Sequence, residues 1–165
     1  AALLSCLLAV VLAVFVPTFL RRVRTNKISE AAELLQTMSQ RTAAYYETTW
    51  PSGLRHCLPP GAGPTPGEPT MESSEVDFLA PDAEGYASWA ALGFQPERPI
   101  RYSYRYAPTR DGCGLDGAQP PVEILFQARG DLDGDEVYST YERRATLGDD
   151  GFAPAEALLV QHRTE

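Results

Sequence analysis

The sequence predicts an α+β fold in which a long N-terminal helix packs on a small antiparallel sheet. Three observations point there. A sixteen-residue run without a charge, Ala1 to Val16, opens the chain. An amphipathic stretch with a single apolar stripe follows it, and the C-terminal half then alternates apolar and polar residues with a period of two. At 165 residues the chain is long enough for one ordinary domain with an appendage. Hydrophobic residues at 44% and charged residues at 22% match globular averages, so the 14 Pro and 13 Gly act locally instead of disordering the whole.

The apolar run continues through Pro17, Thr18, Phe19 and Leu20 before the first arginines. As a helix, residues 1–20 reach roughly 30 Å, enough for a hydrocarbon core. The residues that follow Phe15 do not form the small-residue site at which a signal peptide is cleaved, so the segment is read as retained. Pro17 lacks an amide hydrogen and is expected to kink or soften the helix there.

Residues 21–50 form the second segment. Arg21, Arg22, Arg24 and Lys27 make a basic collar, and no acid occurs in residues 1–27. The rest of the chain holds 10 basic against 22 acidic groups, a balance of −12. An acidic body repels phosphate backbones, which sets nucleic acid aside as the main partner, while a basic collar beside an apolar segment suits lipid headgroups. Ile28, Ala31, Leu35, Met38, Ala43 and Tyr46 recur at helical spacing, with Glu30, Glu33, Gln36, Gln40 and Arg41 between them. Nothing forces a break before Thr48 or Thr49, where Trp50-Pro51-Ser52-Gly53 ends the pattern. The whole helix is expected to span on the order of 70 Å.

Residues 51–98 read as an irregular Pro- and Gly-rich excursion with one short helix over 84–92 that inserts Tyr86, Trp89 and Leu92. In the final segment, 99–165, Ile100, Tyr102, Tyr104 and Tyr106 alternate with polar residues, as do Val122, Ile124, Phe126 and Ala128. Val137 to Thr146 supplies a third strand, and Phe152 to Val160 an edge strand or covering tail. A meander of three or four strands follows from this pattern.

Cys57 and Cys113 lack the spacing of a zinc site, and in an oxidising compartment they are the natural disulfide pair. Asp131, Asp133, Asp135, Ser139 and Glu142 occupy positions 1, 3, 5, 9 and 12 of a calcium-loop template, with the Val137 carbonyl at position 7. Position 6 is Glu136 where the template has Gly, and Asp-Leu-Asp-Gly-Asp is equally good hairpin-turn chemistry. Two readings stand, a bound calcium ion or a plain turn. His56 and His162 are far apart, no nucleophile elbow, nucleotide loop or zinc-protease motif is present, and no enzyme activity or other cofactor is expected.

Val16-Pro17-Thr18-Phe19-Leu20-Arg21, followed by the basic collar and Ser29-Glu30-Ala31-Ala32-Glu33-Leu34, resembles the N-terminal helix of type IV pilins and pseudopilins. Leu92-Gly93-Phe94-Gln95-Pro96 and Ala128-Arg129-Gly130-Asp131 resemble segments of their heads. Aligned on Pro17, the family's processed start, an aromatic residue with a Glu shortly inside it, lies before Ala1. The resemblance implies a pilin or minor pilin held in the inner membrane and then transferred to an extracellular filament. Leu3, Leu7, Val10, Val11, Phe15, Pro17 and Phe19 would then face neighbouring helices in the filament core. It also implies like subunits as partners, with an assembly platform and a motor ATPase acting indirectly. The alternatives are a single-pass, membrane-anchored periplasmic binding or scaffold protein that does not polymerise, and a pseudopilin of a type II-like secretion system.

Overall fold

A computed structural model describes residues 29–154 and 157–161. The apolar run and its expected core residues, Leu3, Leu7, Val10, Val11, Phe15, Pro17 and Phe19, lie outside the described residues, as does His162. Among the described residues no helix is long and apolar enough to cross a membrane.

Helix α1 covers residues 29–47. Its buried positions Ala31, Leu35, Met38, Thr42 and Tyr46 step by three or four residues and form one stripe. The fourth is Thr42, not the expected Ala43: a threonine can be buried at no polar cost when its hydroxyl donates to the carbonyl one turn back, as Thr42 Oγ1 does to Met38 O at 2.9 Å. The helix stops before Trp50-Pro51, because the residue preceding proline is pushed out of helical geometry. Thr48 Oγ1 donates to Ala44 O at 2.9 Å in the last turn.

The remaining elements are β1 (Ala62–Thr65), α2 (Tyr86–Leu92), β2 (Ser103–Pro108), β3 (Val122–Gly130), β4 (Ser139–Gly148), β5 (Gly151–Pro154) and β6 (Leu159–Gln161). They form one six-stranded antiparallel sheet in the order β1-β2-β3-β4-β5, with β6 also pairing with β4. This corrects the expected architecture. The described architecture is dominated by this sheet, with two helices of which the longer has 19 residues, and is not a long helix on a small sheet.

The physical reason lies at the two edges. Residues 51–98 are expected to be irregular apart from one short helix, yet Ala62–Thr65 pairs as a strand, on one side only, with Tyr106 and Tyr104 of β2. An edge strand tolerates Pro64. At the other edge β5 and β6 divide β4 between them, β5 against Ala145–Gly148 and β6 against Thr140–Glu142.

One face of the sheet is aromatic and buried. Tyr104, Ala128 and Tyr141 stand opposite one another across β2, β3 and β4 as a large-small-large row, all three fully buried. Tyr102 closes this face over Gly130, where an added Cβ would meet its ring at 2.5 Å. Full burial of Tyr102, Tyr104 and Tyr106 makes their ionised forms costly, so all three hydroxyls are held above the ordinary tyrosine range. Beside them Phe78, Trp89 and Phe94 pack edge-on, with Phe78 5.3 Å from both partners. In α2, Trp89 and Leu92 are buried as expected, while Tyr86 is 38% exposed. The opposite face carries Arg105, Gln127 and Glu142 in one cross-strand row and is polar.

Candidate functional site

The described head has two places where polar side chains converge with defined geometry: the seam along α1 and the β3–β4 turn.

At the N-terminal end of the seam, Glu30 reaches from the first described turn of α1 to the sheet. Its Oε1 accepts from the Arg101 backbone N–H at 2.9 Å and from the Tyr104 hydroxyl at 3.2 Å. Its Oε2 lies 3.8 Å from the Arg101 guanidinium. Burial first, and the adjacent Glu30 carboxylate second, raise the Tyr104 hydroxyl well above its ordinary range. One helical turn on, Glu33 pairs with Arg98 at 3.6 Å, but both side chains are open to solvent.

The C-terminal end is built differently. Tyr46 stacks on the His56 ring at 4.8 Å, and His56 Nδ1 lies 3.4 Å from Asp116 Oδ1. A short antiparallel ladder joins the two chain segments here, with Leu58 N–H donating to Gly112 O at 2.8 Å and Gly112 N–H donating back at 3.0 Å. Cys57 and Cys113 form a disulfide across it, as the sequence suggested.

The β3–β4 turn brings Asp131, Asp133 and Asp135 together, with one carboxylate oxygen of each within 4.8 Å of the others. Asp131 acts as a template for the turn: Oδ1 accepts from Gly134 N–H at 2.8 Å and Oδ2 from Glu136 N–H at 3.2 Å. Gly134 and Glu136 both have positive φ, the left-handed conformation that lets the chain fold back on the carboxylate. Asp135 Oδ1 takes the Val137 N–H at 2.8 Å.

The other two side chains of the expected ligand set do not join this cluster. Ser139 is the first residue of β4 and its buried hydroxyl faces Gly130 O at 3.3 Å. Glu142 lies in the ladder, where it accepts from Gln127 Nε2 at 2.8 Å and pairs with Arg144 at 3.4 Å. The structure thus gathers three of the side chains and directs the last two to strand partners. Backbone N–H donors already occupy Asp131 and one oxygen of Asp135, which is turn chemistry.

Glu30 is the residue of this seam that the sequence reading passed over. It was assigned to the polar side of α1, whereas it flanks the buried stripe. The buried Tyr104 hydroxyl was the available signal, because such a group needs a partner. Glu68 was missed as well; it accepts from the Tyr138 hydroxyl at 2.9 Å, and the Tyr138 ring lies 4.4 Å beneath the Arg129 guanidinium. Comparison with protein-family models, with curated proteins and with solved structures finds no match to this chain.

Proposed function

We propose that this chain is a structural subunit, stored in a membrane and assembled with copies of itself outside the cytoplasm. In particular, it acts as a pilin or minor pilin of a type IV-type filament, without enzymatic activity. The observation that carries this reading is the order of the first 34 residues: an uncharged run, Pro17 near its end, a collar of four cations and Ser29-Glu30-Ala31-Ala32-Glu33-Leu34. Residues 1–20 keep the monomer in the inner membrane and then exchange lipid for neighbouring copies. The assembly platform and motor ATPase act on the membrane side.

Two features of the head are consistent with such a role. A disulfide belongs to an oxidising, extracytoplasmic compartment. The apolar stripe of α1 is buried within the head, so it is not available to neighbouring copies.

The test is fractionation of native cells into sheared surface filaments and inner membrane, with the intact mass and N-terminal residue of the chain determined in each. Recovery in filaments supports the subunit. Exclusive recovery in the membrane favours an anchored periplasmic protein, and filaments that form only with a secretion apparatus favour a pseudopilin.

A further inference from the structure

The charges of this chain are segregated along the sequence, and two blocks of opposite sign stand out. Residues 21–27 contain Arg21, Arg22, Arg24 and Lys27 with no acid. Between Arg55 and Arg98 the chain contains seven acids, Glu68, Glu72, Glu75, Asp77, Asp82, Glu84 and Glu97, and no lysine or arginine. All seven are exposed, and none takes part in the ion pairs formed among the described residues.

Three of them, Asp77, Asp82 and Glu84, line one open groove of about 300 Å³ beside Pro64, Thr65 and Pro66. The backbone around this groove is fixed. Thr65 Oγ1 and Trp89 Nε1 both donate to Glu84 O at 3.0 Å. Gln95 ties down the other wall, accepting from Phe78 N–H at 2.8 Å and donating to Val76 O at 3.0 Å. The groove is therefore a preformed anionic surface and not a loose acidic loop.

A head-to-tail polymer of one chain needs two different, mutually complementary patches on that chain. The cationic block and the anionic groove meet that requirement within a single sequence. The acids nearest residues 21–27 of the same copy, Glu30 and Glu33, already face Arg101 and Arg98. We propose that the groove of Asp77, Asp82 and Glu84 is the contact surface for residues 21–27 of a second copy of this chain. The inference deepens the filament reading and rests on it. Exposed charges screen one another over about 8 Å at physiological ionic strength, so the contact weakens as salt rises.

Lys27 is the only lysine in the chain, so a carbodiimide amide between a lysine and a carboxylate has one possible side-chain amine. Cells are made to produce two forms together. One form carries Lys27→Arg with the groove intact; the other keeps Lys27 and carries Asp77→Asn, Asp82→Asn and Glu84→Gln. Whole cells are crosslinked before shearing, and both filament and membrane fractions are mapped by peptide mass. An amide from Lys27 to Asp77, Asp82 or Glu84 then arises only between copies, and its yield falls severalfold when crosslinking is done in 0.5 M salt. Lys27 joined only to Glu30 or Glu33, or joined to nothing, overturns the contact. An intercopy amide confined to the membrane fraction supports the contact while overturning the filament reading, so the two fail separately. The three substitutions lie on exposed side chains, and an unchanged melting temperature for that form verifies its fold.

Discussion

The two ends of α1 are fastened to the sheet by different chemistry. Near residue 29 the fastening is one carboxylate, Glu30, shared between a backbone N–H, a tyrosine hydroxyl and a guanidinium. Near residue 47 it is a stacked Tyr46–His56 pair backed by a covalent link, Cys57–Cys113. A hydrogen-bonded carboxylate is directional and can be undone by one substitution. A disulfide limits the unfolded chain and acts wherever the loop it closes is long. The contrast teaches that the head is locked covalently where the chain leaves the helix and is held by replaceable polar contacts where the chain comes from residues 1–28. In the proposed filament the Glu30 end adjoins residues 21–27, the segment proposed to meet a second copy.

The covalent end gives the largest expected effect. Cys57→Ser with Cys113→Ser opens a loop of sequence separation 56, and loop-closure entropy for that length is about 4 kcal/mol. A urea midpoint lower by roughly 2 M is expected; an unchanged midpoint would show that the ladder between residues 55–58 and 112–115 suffices alone. At the polar end, Glu30→Ala leaves the Tyr104 hydroxyl and the Arg101 N–H buried without an acceptor, a loss of about 2–3 kcal/mol. Glu30→Gln keeps an acceptor and is expected to recover part of it, whereas equal losses would mean that the charge and not the hydrogen bonding holds this end.

Between the two ends lies the tyrosine slab, and it sets the alkaline limit. Tyr102, Tyr104 and Tyr106 bind their protons more tightly folded than unfolded, where the value is 10.0. Their contribution is whole below pH 10 and declines above it, because the unfolded chain releases protons first. Each tyrosine removes about 1.4 kcal/mol per pH unit in that range. The tyrosinate absorbance contributed by Tyr102, Tyr104 and Tyr106, read as the difference from the triple Phe variant, is therefore expected to appear in one cooperative step together with loss of the circular dichroism signal. Gradual ionisation of these three with the fold intact would contradict the burial of this face. The smallest effect is expected at the β3–β4 turn. Backbone donors already hold Asp131, so chelator and millimolar calcium are expected to leave the melting temperature unchanged. A rise with calcium would add an ion to the three gathered carboxylates.

How far the sequence could be read follows from the range of the interactions involved. Alternation marked β2, β3 and β4 because the burial of one face is written residue by residue along each strand. The end of α1 was readable because Pro51 acts on its immediate neighbour. The size of the sheet was not. Ala62–Thr65 is too short and too rich in proline to signal a strand, and it becomes one only because the edge of β2 is available to it. Likewise β5 and β6 have four and three residues and are defined by their places along β4. The Asp131-Asp133-Asp135 cluster was legible from spacing, but the assignment of Ser139 and Glu142 depended on the β3–β4 register, which carries both into the ladder. Glu30 remained hidden because its partners lie 71 and 74 residues away.

The most direct test of the central claim is the location of the mature chain in native cells. Antibody to the head should label filaments along their length, and the sheared filaments should yield a chain of one intact mass with the Cys57–Cys113 bond in place. A chain found only in the inner membrane, with bare filaments or none, would contradict the account.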